Sequence, residues 1–347
     1  MGPRFELEIG DRRVGDGQPC YVIAEIGSNH NHDFDLARRT IDAAAEAGVD
    51  AVKFQTFRAD QHYSKRTPQF AYLKGQDTHS LIKSLELDRS WHEPLKQHSE
   101  QQGLAFFSSP SDFVAVDELA ALNVPAYKVA SFDLPDQDLI FHVARKGKPV
   151  LLSTGMADWS DIQNAVGACR AAGNSELILL QCTSLYPAPA DLSNLAAMST
   201  MRQAMGCLTG YSDHTIGDHV ALAAVALGSC VIEKHFTLDR SLPGPDHAFA
   251  AEPDEFRAMM ERLREIESAI GDGSKIGPRG GEVEMAEKGR RSLHAAIDIP
   301  AGQTITAEML TIKRPGMGIQ PQLKSVVVGR VAQMDIPADQ WIEWEMI

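Results

Sequence analysis

Along the first two-thirds of the chain, short apolar runs alternate with stretches whose apolar residues recur at helical spacing. The runs fall at 20–26, 49–55, 104–108, 126–130, 149–153, 177–182, 207–211 and 230–235. Between most of them lie Ala-, Leu- and Glu-rich stretches such as 36–47 and 218–227. That alternation predicts parallel strands covered by helices. Eight such units favour an α/β fold closed as a (β/α)8 TIM barrel over an open sheet. The pattern breaks at 271–281, GDGSKIGPRGG, whose glycines and proline read as a linker. From residue 288 onward, short β-like runs separated by turns predict a small β-rich module. The expected layout is a barrel over 1–270, a linker over 271–287 and the β-rich module over 288–347.

Composition narrows the class. A length of 347 residues fits one barrel of about 250 plus a small module. The apolar share of 44% and charged share of 23% are ordinary for a globular chain. No apolar run approaches the roughly 20 residues that cross a bilayer, and the first residues lack the apolar core of a secretory signal. The expectation is a cytoplasmic protein without membrane contact. Cys20, Cys169, Cys182, Cys207 and Cys230 are odd in number, scattered and free of Cys-x-x-Cys spacing, so neither a disulfide framework nor a zinc site is expected. A net charge of −14 argues against nucleic acid as partner. It leaves an anionic substrate open, because local lysines can override the global field.

A barrel of this kind collects its functional groups where strands end and loops begin. The predicted strand ends carry Glu25, Lys53, Gln55, Ser108, Ser109, Lys128 and Ser131, then Ser153, Thr154, Thr183, Ser184, Ser212, His214, Lys234 and His235. One polar residue at a strand end is ordinary; a whole rim of them is the pattern of an active site. Lys53 and Lys128 lie inside apolar strands, where an ammonium is costly to bury unless an anion pairs with it. With the serines they suit a phosphate and a carboxylate. A Schiff-base lysine, or a lysine reaching out to solvent, fits the same pattern. His214 and His235 follow consecutive strands and would be neighbours at the barrel mouth. Two imidazoles without cysteines suit a manganese-type ion with open water positions, and equally a pair of hydrogen-bonding histidines. Glu25 and Asp246 would orient substrate, move protons or pair with the lysines.

Taken in order, the segments 23–31 (IAEIGSNHN), 50–56 (DAVKFQT), 127–131 (YKVAS), 152–155 (LSTG), 182–187 (CTSLYP), 211–215 (YSDHT), 232–239 (IEKHFTLD) and 244–247 (GPDH) resemble the sialic acid synthase family, which includes N-acetylneuraminate synthases and their legionaminic and pseudaminic relatives. After the linker, 290–293 (RRSL) and 313–316 (KRPG) resemble the antifreeze-like SAF module that closes those enzymes. The resemblance implies condensation of phosphoenolpyruvate with an N-acyl amino-sugar aldehyde and water. N-acetylmannosamine or a close relative would give a nine-carbon 2-keto sugar acid and phosphate by C–O cleavage. It implies that Lys53, Lys128, Ser131, Ser153, Ser184 and Ser212 hold phosphoenolpyruvate, with Asp133 beside them. His214 and His235 would hold a divalent ion, Mn2+ before Mg2+ or Co2+. Glu25, Gln55, Tyr186 and Asp246 would face the sugar, Glu25 handling a proton. It implies, finally, a domain-swapped homodimer in which Arg314 reaches from one subunit to the N-acyl group bound in the other.

The chain departs from the family pattern at a few positions. His32 stands where a glycine is usual, Ser108-Ser109-Pro110-Ser111 replaces Ser-Thr-Pro-Phe, Phe132 replaces a glycine, and Ser184 stands where some members have asparagine. Several of these fall where the sugar should lie. A legionaminic acid synthase using 2,4-diacetamido-2,4,6-trideoxymannose is therefore the alternative, and 83–87 (KSLEL) looks more like the sialic and legionaminic branches than the pseudaminic one. A Schiff-base aldolase is a competing class, separable by borohydride trapping. A non-catalytic carbohydrate- or ice-binding protein would leave the polar rim unexplained.

Overall fold

The computed structural model describes residues 5–68 and 77–347. The chain divides into two compact units, one ending at Gly271 and one spanning Asp272–Ile347. The first opens with an antiparallel hairpin, β1 (Glu6–Ile9) and β2 (Arg12–Gly15). Its turn is only two residues long and has Gly10 at φ 60°, the backbone region that tight hairpins demand. Nothing in the hydrophobic pattern of such short strands announces them, and the sequence reading has no counterpart. Leu7, Ile9 and Val14 pack into the main core, while the Arg12 guanidinium pairs with the Asp50 carboxylate. Asp50 also accepts the Val22 N–H at 2.7 Å. Val22 and Asp50 lie at the N-terminal ends of the neighbouring strands, so the hairpin anchors at that end of the barrel.

The barrel strands are β3 (Tyr21–Gly27), β4 (Ala51–Thr56), β5 (Ala105–Pro110), β6 (Tyr127–Val129), β7 (Val150–Ser153), β8 (Leu177–Cys182), β9 (Leu208–Asp213) and β10 (Val231–His235). They pair in parallel in the order β5-β4-β3-β10-β9-β8-β7-β6. β5 and β6 lie side by side and form the seam, without a ladder between them. All eight predicted strands are present, displaced by no more than two residues at either end. Helices cover the outside, and Asp33, Asp112, Asp136 and Asp158 each accept a first-turn N–H at a helix start. Part of the acidic excess is thus spent on caps, each contributing roughly 1 kcal/mol.

Strand alternation sorts the polar rim. Ser108 points outward, where its hydroxyl and the imidazole of His92 both meet Thr56 Oγ1 at 2.8 Å. Burial, followed by Arg89 and Arg58, pushes His92 down to about 4; burial and then His32 do the same to His30. Both rings are neutral in the fold, whereas unfolded histidines take up a proton near 6.5. Their stabilising contribution is complete above pH 6.5 and is lost as pH falls toward 4, at about 1.4 kcal/mol per pH unit for each ring. Thermal melts are expected to show this slope, and His92→Gln to flatten it. A slope unchanged in that variant would contradict the assignment.

The second unit has its own core, built from Leu293, Ile299, Ile305, Leu310, Val327, Ile336 and Ile342 among others. It contains one short antiparallel pair, β11 (Ser292–Ala295) and β12 (Leu310–Lys313), with isolated bridges and turns around it. Helix Glu282–Gly289 occupies part of the stretch read as linker. Among the described residues no helix is long and apolar enough to cross a membrane.

Candidate active site

The C-terminal ends of the barrel strands converge on one pocket. Of the sequence-predicted site residues, Glu25, Lys53, Gln55, Lys128, Ser131, Asp133, Ser153, Tyr186, Ser212, His214, His235 and Asp246 all line it. Ser184 lines a neighbouring cavity that shares Cys182 with the first. Arg314 belongs to the second unit, where its Nε donates to the Gly289 carbonyl at 2.6 Å. Lys234 turns away from the pocket, onto Asp213 at 2.7 Å and the Thr215 carbonyl. Thr154 and Thr183 spend their hydroxyls on the carbonyls of Leu180 and Leu192.

At the pocket floor lies a chain of alternating charges. Lys53 Nζ sits 2.6 Å from Glu25 and 3.8 Å from Glu233, and donates to Ser109 at 3.1 Å. Lys128 Nζ lies 3.7 Å from the other oxygen of Glu233, which also accepts from Ser212 at 3.0 Å. Gln55 donates to the free oxygen of Glu25 at 2.7 Å. Burial alone would lower the Lys53 ammonium, but Glu233 and Glu25 outweigh it and hold Lys53 above the usual lysine value. At Lys128 burial outweighs the pull of Glu233 and lowers it. Burial would raise Glu233, yet the two lysines pull it below the ordinary carboxylate range. Glu25 is pushed up by burial against the pull of Lys53.

Glu233 is absent from the sequence-level site, although the signal was available. In a strand, residues two apart share a face; once His235 faces the pocket, Glu233 must as well, and Lys234 must not. Sequence spacing also gives no hint of His62, which lines the pocket with its Nδ1 3.7 Å from Asp133. Asp133 accepts from Ser111 at 3.1 Å, and burial raises it despite His62.

A second cluster is built around Gly155. Its N–H donates to Ser131 Oγ at 3.0 Å. A Cβ added at 155 would lie 2.2 Å from Ser184 Oγ and 2.8 Å from Ser131 Oγ, so only glycine lets these hydroxyls close in. The Oγ atoms of Ser153 and Ser184 are buried without a hydrogen-bond partner in the fold. Buried hydroxyls left in that state are rare and suit a ligand rich in acceptor oxygens. Gly155→Ala is expected to displace both serines and to raise the KM for an anionic substrate about tenfold or more, the cost of one or two lost charge-assisted bonds. Equal KM values in variant and parent would exclude the cluster from binding.

At the mouth, the rings of His214 and His235 lie 5.4 Å apart, with Tyr186 4.3 Å from His214 and Phe249 4.9 Å from His235. His214 donates its Nδ1 proton to the Thr183 carbonyl at 2.8 Å, which in the neutral ring leaves Nε2 with a lone pair. His235 Nδ1 is buried without a hydrogen-bond partner, 3.8 Å from Asp246. Burial, then His214 and the lysines around it, push His235 toward the neutral form that a metal ligand must have, whereas at His214 Cys182 and the Thr183 carbonyl outweigh burial and raise it. Asp246 is pushed up to about 6 by burial and then by Glu25. Among the described residues no cluster of three or more His, Cys, Asp or Glu groups is arranged around a metal position. Two imidazole lone pairs nevertheless fit an open site whose other positions go to water and substrate.

Residues 40–275 match the model of the NeuB family, and residues 290–347 match the SAF domain. The chain belongs to the NeuB family. A Methanocaldococcus jannaschii protein, MJ1065, is 40% identical over 98% of both chains. The N,N'-diacetyllegionaminic acid synthase of Legionella pneumophila is 38% identical over 100% of this chain and 99% of its own. Among solved structures, the N-acetylneuraminic acid synthetase of Leptospira borgpetersenii in complex with citrate superposes with a TM-score of 0.74 at 33% identity, over 82% of this chain and 96% of its own. This NeuB chain therefore has relatives that are sugar-acid synthases along nearly its whole length.

Proposed function

We propose that this NeuB chain condenses phosphoenolpyruvate with an N-acyl amino-sugar aldehyde and water, releasing phosphate and a nine-carbon 2-keto acid. The reading is carried by one observation: two buried lysines joined through Glu233, in a pocket also lined by Ser131 and Ser153. Phosphoenolpyruvate brings a phosphate and a carboxylate to exchange for those carboxylate contacts. A divalent ion on His214 and His235, Mn2+ before Mg2+ or Co2+, would polarise the aldehyde carbonyl. The rest falls to the chain's own groups. Lys53 and Lys128 neutralise the anion while its C3 bonds to the aldehyde carbon. Asp246, with its value near 6, keeps a protonated fraction for the developing alkoxide. Glu25 takes a proton from the water that adds at C2, and phosphate then departs with the bridging oxygen. In the same reading the chain is a cytoplasmic, domain-swapped dimer, and Arg314 of one subunit contacts the acyl group in the other.

The sugar end of the pocket favours a second, finer reading. Leu81, Ile82 and Leu85 form an apolar wall, and the only lysines among the described lining residues are Lys53 and Lys128, both beside carboxylates. Such a wall suits acetyl and deoxy methyl groups and offers nothing to a 6-phosphate, in keeping with the legionaminic acid synthase named among the relatives. Phosphate release from phosphoenolpyruvate with Mn2+ tests both readings across N-acetylmannosamine, its 6-phosphate and 2,4-diacetamido-2,4,6-trideoxymannose. The diacetamido sugar is expected to lead and the 6-phosphate to trail by at least about tenfold, the price of an unpaired buried charge. A leading 6-phosphate would overturn the sugar assignment alone. Because burial lowers Lys128, imine chemistry also has a candidate residue; borohydride trapping on Lys128 would replace the condensation reading with an aldolase.

A further inference from the structure

The turn after β3 runs Ser28-Asn29-His30-Asn31-His32, and its last two residues take positive φ, 48° at Asn31 and 56° at His32. Glycine enters that region freely, whereas asparagine and histidine are tolerated there at a modest backbone cost. The ring of His32 is held by a specific contact. Its Nε2 meets the backbone carbonyl of Ser84, the C-cap of helix Thr78–Lys83, where end carbonyls lack partners within the helix.

The rest of the turn is firmly anchored. His30 is buried against Phe54 and Trp91, and its Nδ1 accepts the His32 N–H at 3.1 Å. Asn29 donates to the Phe236 carbonyl at 2.9 Å, beyond the end of β10. Ser28 Oγ reaches the Leu85 carbonyl at 3.5 Å. A rigid base therefore sends contacts to residues 84 and 85, and the segment it reaches carries Leu81, Ile82 and Leu85 into the pocket. His32 itself is exposed and is not among the residues that line the pocket.

We propose that His32 is a positioning residue: its ring pins the 78–85 segment so that Leu81, Ile82 and Leu85 are held against the acyl and deoxy end of the sugar. The proposal rests on the condensation reading for its ligand. The His32 ring packs edge-on against His30, 5.7 Å between centroids, and its Ser84 contact is the one that reaches the segment carrying the wall. His32 acts through Ser84 and touches no reacting atom.

His32→Gly removes the ring and the backbone cost together, so a purely structural role and a positioning role separate. The melting temperature is expected to equal or exceed that of the parent. Backbone amides of 78–85 are expected to exchange about tenfold faster. The KM for the amino sugar should rise about fivefold or more while that for phosphoenolpyruvate stays within about twofold. His32→Gln, which keeps a donor near the same reach, should recover part of the sugar KM. Unchanged exchange at 78–85, or both KM values moving together, would overturn the proposal. If no sugar supports phosphate release, the condensation reading fails, and the exchange comparison alone decides whether His32 pins the wall.

Discussion

Replacing Glu233 with glutamine is expected to lower the melting temperature of the substrate-free protein by about 10 °C, and phosphoenolpyruvate is expected to recover much of that loss. Glu233 stands between Lys53 and Lys128 and, among the described residues, is the carboxylate that pairs with both. Glutamine keeps the volume and can still accept from Ser212, so the change is one of charge. Removing one partner from a buried ion pair typically costs about 3–5 kcal/mol, because the opposite charge is left uncompensated. A phosphate or carboxylate arriving at the lysines supplies the missing charge. The ligand-induced rise in melting temperature should therefore be larger in the variant than in the parent. A smaller rise would mean that the lysines do not meet the anion.

His235→Ala is expected to abolish Mn2+ binding at the site and to lower kcat/KM by about a thousandfold or more, the several kcal/mol that a Lewis acid contributes to a developing charge. The fold should tolerate it. His235 Nδ1 has no hydrogen-bond partner in the structure, so the substitution strands no internal donor or acceptor. His214→Ala differs, since it also removes one of the two hydrogen bonds that the Thr183 carbonyl accepts, the other coming from the Leu185 N–H at 2.9 Å. The comparison is made by calorimetric Mn2+ titration alongside steady-state kinetics. Retained Mn2+ affinity in His235→Ala would remove the imidazole pair as the metal site.

The barrel was legible because each strand is a short apolar run bounded by polar rim residues, a pattern that local sequence carries by itself. The hairpin β1–β2 was not, since its stability comes from the remote contact of Arg12 with Asp50 and from packing of Leu7 and Val14. The rim was legible as a set but not residue by residue. Parity along the strands separates Ser109 from Ser108, and Glu233 and His235 from Lys234, once one residue of each strand is known to face the pocket. Helix Glu282–Gly289 was hidden by the Gly- and Pro-rich stretch before it. The contact of His32 with Ser84 joins residues 52 apart, which no local pattern encodes.

Phosphoenolpyruvate labelled with 18O at the oxygen bridging C2 and phosphorus, incubated with the amino sugar and Mn2+, reports directly which bond breaks and whether the sugar is required. Phosphate is expected only when the sugar is present and is expected to carry the label, with an oxygen from water at C2 of the keto acid. Unlabelled phosphate, or phosphate released equally without the sugar, would contradict the proposed condensation.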